Sequence, residues 1–145
     1  MYFVDQEVLN EKLDYIDGLA NRVELETGFA LERVCHMLIE SVVDVGNMII
    51  DGFIMRDPGS YQDVIDILEM EHVISTEHKV MISNTLYLRQ WFVRDYINIK
   101  HDEVKRVFLD NIDAYQSFKE SVNTFIEKEL PPVTAFGKGG KNEKI

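Results

Sequence analysis

Apolar residues recur along this chain at intervals of three and four rather than in strict alternation, which is the signature of helices packed by one face. The spacing predicts a first helix over about Asp5 to Arg22, with Asp5 as a candidate cap and Val8, Leu13, Ile16 and Leu19 facing inward. A second helix is predicted from about Thr27 to Ile50. Leu31, Val34, Cys35, Leu38, Ile39, Val42, Val43, Ile49 and Ile50 make it apolar around most of its circumference, as expected of the central helix of a bundle.

Pro58-Gly59 marks a turn, after which Ser60 and Asp63 are placed to cap a short helix running to about Met70. Ser75 or Thr76 opens a fourth helix that continues into LRQWFVRDY, residues 88–96. INIKHDEV then reads as a brief interruption before a last helix from His101 or Asp102 to Glu129, ended by Pro131-Pro132. The expected fold is all-α, an antiparallel bundle of four to five helices over residues 1–130, followed by a polar, mobile tail over residues 131–145. A homodimer is also expected, because a two-fold interface reuses one apolar patch.

Composition narrows the function classes. At 145 residues the chain can bury a core without metals or disulfides, and its single cysteine, Cys35, permits no intrachain disulfide. Cys35 and His36 lack zinc-ligand spacing, so neither metal nor cofactor is expected. No apolar run reaches the roughly 18 residues of a membrane span, and the start MYFVDQEV is unlike a secretory signal, so a soluble cytoplasmic protein is expected. The net charge of −11 disfavours broad attraction to phosphate backbones; nucleic-acid binding would have to come from a local cluster. FGKGGK, in the tail, has no preceding strand, following helix or Ser/Thr after the lysine, and is a poor phosphate-binding loop.

The residues with chemistry to offer gather in two places. Arg89, Gln90, Arg94 and Tyr96 lie in LRQWFVRDY; on an ideal helix Arg89 and Tyr96, seven apart, differ by only about 20° in direction, whereas Arg94 points elsewhere unless the helix ends. His36, Glu40, Asp44 and Asn47 step by three or four along the second helix as a polar stripe on an otherwise apolar element. The stripe can line a cleft or satisfy buried polar groups, with a carboxylate-to-arginine contact as its link to the motif. His72 and His78 read as surface groups near a turn.

LRQWFVRDY resembles the signature of HepT-like ribonuclease toxins of the HEPN superfamily: an Arg, four residues, a His, one residue and a Tyr. ALERVCHMLIESVVDVGNMII, DPGSYQDVIDIL and INIKHDEVKRVF are similar to that family's second helix, third helix and entry to the last helix. The start MYFVD and the stretch DGFIMRDPGSY resemble a branch of small bacterial proteins within it. The resemblance implies metal-independent endonucleolytic cleavage of RNA in a cleft between two subunits. It assigns phosphate binding to Arg89, and to Tyr96 a regulatory role as acceptor of adenylate from an MntA-like nucleotidyltransferase antitoxin. Glu40, Asp44, Asn47 and Gln90 would line the cleft. At the family's histidine position this chain has Arg94, which holds its proton at neutral pH and cannot act as general base. Two readings stay open: a ribonuclease with a degenerate motif, or a non-catalytic module that binds RNA, a nucleotide or a partner. His101, six residues beyond Arg94, is an alternative base under a looser form of the motif.

Overall fold

The computed structural model describes residues 4–129 and, in the tail, a short antiparallel pair formed by β1 (Lys138–Gly140) and β2 (Asn142–Lys144). The junction expected near residue 130 and, within FGKGGK, Phe136, Gly137 and Lys141 lie outside the described residues. The body is helical: α1 (Gln6–Ala20), α2 (Gly28–Gly52), α3 (Tyr61–Met70), α4 (Thr76–Thr85), α5 (Leu88–Val93), α6 (His101–Asp110), α7 (Ile112–Gln116) and α8 (Phe118–Glu129). Among the described residues no helix is long and apolar enough to cross a membrane.

Short polar side chains start the helices where the sequence placed them. Asp5 accepts hydrogen bonds from the Glu7 and Val8 amides, Ser60 from Asp63, and Ser75 from His78, each satisfying amides that a helix start leaves without carbonyl partners. Helix α2 is the centre of the bundle and packs against α1, α3, α5 and α6. Its residues Leu38, Ile39, Val42, Val45 and Ile49 are fully buried. Gly46 lets α3 come close: a Cβ there would lie 2.6 Å from Val64 Cγ1.

Two of the expected helices are interrupted. Helix α4 passes into α5 through Leu86 and Tyr87, whose backbone stays in the right-handed helical region while Leu86, Arg89 and Gln90 bond to carbonyls three residues back. The helix is tightened there rather than ended. The predicted helix over 101–129 is three segments. Asn111 leaves helical geometry (φ −119°, ψ 17°) and its side-chain amide donates to the Val107 carbonyl, the acceptor that a continuing helix would reserve for the Asn111 backbone. Asn84 then donates to the Asn111 side-chain oxygen at 3.1 Å, tying the break to α4.

Helices α2 and α3 both end in a left-handed residue that is not glycine, Ile54 (φ 56°) and His72 (φ 64°). In each, the following amide reaches back to the helix, Met55 to the Ile50 carbonyl and Val73 to that of Leu68, the pattern of a Schellman cap. A β-branched side chain is strained in this region, and Ile54 is two-thirds exposed, so little packing compensates. Ile54→Gly is expected to stabilise the fold by about 0.5–1 kcal/mol, the strain relieved being partly offset by added freedom in the unfolded chain. A higher denaturant midpoint at unchanged slope would verify it.

Candidate functional site

The stripe on α2 faces α6, α5, α3 and α1 in turn. Glu32, four residues before His36, extends it: its Oε2 lies 2.6 Å from His101 Nε2 at the start of α6. His36 packs against the Phe92 ring of α5, centroids 5.5 Å apart. Glu40 is the hub, accepting from Arg89 Nε through Oε2 at 2.6 Å and from the Tyr61 hydroxyl through Oε1 at 2.7 Å, with His36 Nε2 3.3 Å away. The Arg89 guanidinium carbon also sits 4.5 Å from the centre of the Tyr61 ring, a cation–π distance. Asp44 pairs with Lys12 of α1, and Asn47 is exposed one turn further on.

Tyr61 reaches this hub because the loop before it is pinned. Arg56 donates through both Nη nitrogens to the two Asp63 carboxylate oxygens, at 2.8 and 2.7 Å, and the Gly59 amide adds a third bond at 2.9 Å. Those contacts, the Arg56 hydrogen bonds foremost, hold the Asp63 carboxyl down at about 2. Partial burial alone would push the Glu40 carboxyl up. The Tyr61 and Arg89 hydrogen bonds, with the charges of Arg89 and His36, outweigh it and keep Glu40 below its ordinary value. Glu40 therefore stabilises the fold above its ordinary value of 4.5, and that contribution is lost as the pH falls through the lowered folded value. Glu40→Gln is expected to flatten this part of the acid limb of a stability–pH curve; a limb of unchanged steepness in denaturant titrations would count against it.

The motif residues are divided by the end of α5. Arg94 closes that helix, and its amide and that of Asp95 both bond to the Gln90 carbonyl, at 2.9 and 3.0 Å. Tyr96 lies beyond the helix, so the shared face expected of Arg89 and Tyr96 is lost: an ideal helical relation cannot extend past Val93. Instead Arg94 and Tyr96 line an open groove of about 440 Å³ with Trp91, Asp95, Ile97, Asn98 and Lys100, and Arg89 is not among its lining residues. Gln90 is turned toward Asp95, its amide 3.5 Å from the carboxylate. Glu40, Asp44 and Asn47 line a second groove with Lys12, Tyr15, Met37 and Tyr61. His101 borders neither groove.

Tyr61, Glu32, Trp91 and Lys100 were not singled out in the sequence. Glu32 had a signal, the same helical spacing of three or four as the rest of the stripe; Tyr61 had none, because only the folded loop brings it across to α2. His78 departs from the surface reading. Its side chain is only 17% exposed and its Nε2 lies 3.1 Å from Asp113 of α7, because α4 packs on α7. Cys35 is buried, and burial pushes its thiol up to about 12, so it is unreactive at neutral pH. Among the described residues no group of three or more His, Cys, Asp or Glu side chains is placed to hold a metal ion.

An all-helical bundle with an arginine clamped between a carboxylate and a tyrosine, beside a motif that ends Arg-Asp-Tyr, defines the class. The chain belongs to the HepT-like ribonuclease family, described as Ribonuclease HepT-like, which matches residues 9–122. It is 35% identical over 143 residues to the Bacillus subtilis (strain 168) protein named "Putative RNase YutE", covering 94% of this chain and 99% of that one. A solved structure described as that of the cytosolic protein of unknown function YutE from Bacillus subtilis matches with a TM-score of 0.86 at 35% identity, over 94% of this chain and all of the other.

Proposed function

We propose that this HepT-like protein binds RNA at the end of α5 and does not cut it efficiently, because the family's general base is replaced by Arg94. The observation that carries this reading is the composition of the Arg94 groove. It offers two cations, Arg94 and Lys100, and no imidazole, thiol or paired carboxylates that could take the proton of an attacking 2′-hydroxyl. A guanidinium has the geometry to bind phosphate through two parallel hydrogen bonds and keeps its proton while doing so. The chemistry left to the site is anion binding without a metal.

Membership of the HepT-like ribonuclease family, with the resemblance to its toxins, extends the proposal to partners. Tyr96 is 62% exposed and makes no hydrogen bond among the described residues, which suits a hydroxyl that accepts adenylate from an MntA-like nucleotidyltransferase antitoxin. The exposure of Phe29 (87%) and Leu25 (76%) favours a homodimer, in which a second copy would cover them.

A second reading keeps catalysis and moves the base to His101. The pairing of its Nε2 with Glu32 at 2.6 Å favours it, because a carboxylate beside an imidazole fixes the orientation of the ring. The same pair argues against it, since the nitrogen facing Glu32 is occupied and the ring borders neither groove.

RNA binding is tested by native-gel retention of a labelled single-stranded RNA in chelator. The expected result is retention at low salt that weakens steeply as salt rises, with the RNA recovered intact. Absence of retention at low salt would overturn the proposal.

A further inference from the structure

We infer that the groove at the end of α5 is a nucleotide-sized subsite for single-stranded RNA, in which Trp91 stacks on a base while Arg94 and Lys100 hold the adjoining phosphate. This deepens the RNA-binding reading above and rests on it.

The charges single the groove out. Lys12, Arg22, Arg56, Arg89 and Lys119 each lie against a carboxylate of the same chain, so their fields are largely cancelled. Arg94 and Lys100 make no ion pair or side-chain hydrogen bond among the described residues, yet they share one groove. On a chain of net charge −11, phosphate is repelled over most of the surface and finds uncompensated positive charge where two free cations meet. Arg89, the family's phosphate ligand by resemblance, has its Nε committed to Glu40 and lies outside the groove.

The groove also carries aromatic surface. Trp91 is partly buried, and Tyr87 meets it edge to face with centroids 5.9 Å apart, which fixes the plane of the indole. An indole held in place beside two cations suits a base joined to a phosphate, since stacking is tolerant of base identity and adds to the electrostatic term. The Asn98 amide and the Asp95 carboxylate, on the same lining, are a donor–acceptor set for a base edge. A volume of about 440 Å³ falls in the range of roughly 300–1,000 Å³ typical of small-ligand sites.

Trp91 is the chain's only tryptophan, so its emission reports on the groove alone. The test titrates full-length protein in chelator with oligouridylate, following Trp91 emission and, in parallel, the anisotropy of a fluorescein-labelled copy of the RNA. The expected result is quenching that saturates at the same RNA concentration as the anisotropy. The double change Arg94→Ala and Lys100→Ala is expected to lower the slope of log affinity against log salt by about 0.7, one single-strand phosphate contact. Trp91→Ala is expected to weaken binding by about 5- to 150-fold, and an abasic ribose-phosphate oligomer to bind without quenching. Lys119→Ala, whose lysine pairs with Asp14 elsewhere, controls for net charge and is expected to keep the slope.

Anisotropy that rises while Trp91 emission stays constant, with the double variant keeping the wild-type slope, overturns this subsite and leaves RNA binding standing. No anisotropy change at low salt overturns both. Polyglutamate that displaces the RNA and quenches Trp91 equally well would show a general anion site and overturn the nucleotide assignment.

Discussion

Arg94→His is expected to give the protein a metal-independent RNA-cleaving activity about 10² to 10⁴ times that of the wild type, the usual worth of a positioned general base. A guanidinium remains protonated at neutral pH and cannot accept the 2′-hydroxyl proton, whereas an imidazole with an ordinary pKa near 6.5 is mostly neutral at pH 7 and can. The substitution restores the Arg, four residues, His, one residue, Tyr spacing without touching the core, because Arg94 is an exposed residue capping α5. The gain should be read in single-turnover cleavage of end-labelled RNA in chelator. It should rise with pH through the imidazole range. Arg94→Gln, which also removes the charge but supplies no base, is the control and should stay inactive. Equal rates for the His and Gln variants would contradict the account.

Gly46→Val is expected to cost about 2–3 kcal/mol and to loosen the site from a distance. Even the first carbon of a side chain at this position would lie 2.6 Å from Val64 Cγ1 and 3.3 Å from Leu68 Cδ1, so α3 has to move away from α2. Better helix propensity than glycine returns only a few tenths of a kcal/mol. In thermal unfolding the loss corresponds to a fall of about 4–12 °C. Because α3 begins with Tyr61, displacement of α3 should also weaken the Tyr61–Glu40 hydrogen bond. A Tm within a degree of the wild type would show that α3 yields without strain.

The fold was legible where the physics is local. Asp5, Ser60 and Ser75 cap helices because a short polar side chain reaches the next amides whatever lies around it, and the apolar circumference of α2 requires burial on several sides. The interruption at Asn111 was not legible, because it depends on Asn84 arriving from α4 to share the side chain. The site followed the same division. The Glu40–Arg89 contact was foreshadowed by a carboxylate recurring at helical spacing opposite an arginine-bearing motif. Tyr61 was not, since it reaches Glu40 only through the loop that Arg56 and Asp63 fix. The separation of Arg89 from Arg94 and Tyr96 was hidden because periodicity assumes that a helix continues, and α5 stops at Val93.

The central claim, a ribonuclease fold that holds RNA without cutting it, is tested most directly by one measurement on the unaltered protein. Protein in excess over end-labelled single-stranded RNA is incubated in chelator for hours at neutral pH, and the fraction of full-length RNA is followed alongside the fraction bound. The account predicts RNA that is bound and remains full-length. Wild-type cleavage that disappears in His101→Ala would contradict it and transfer the role of base to the His101–Glu32 pair.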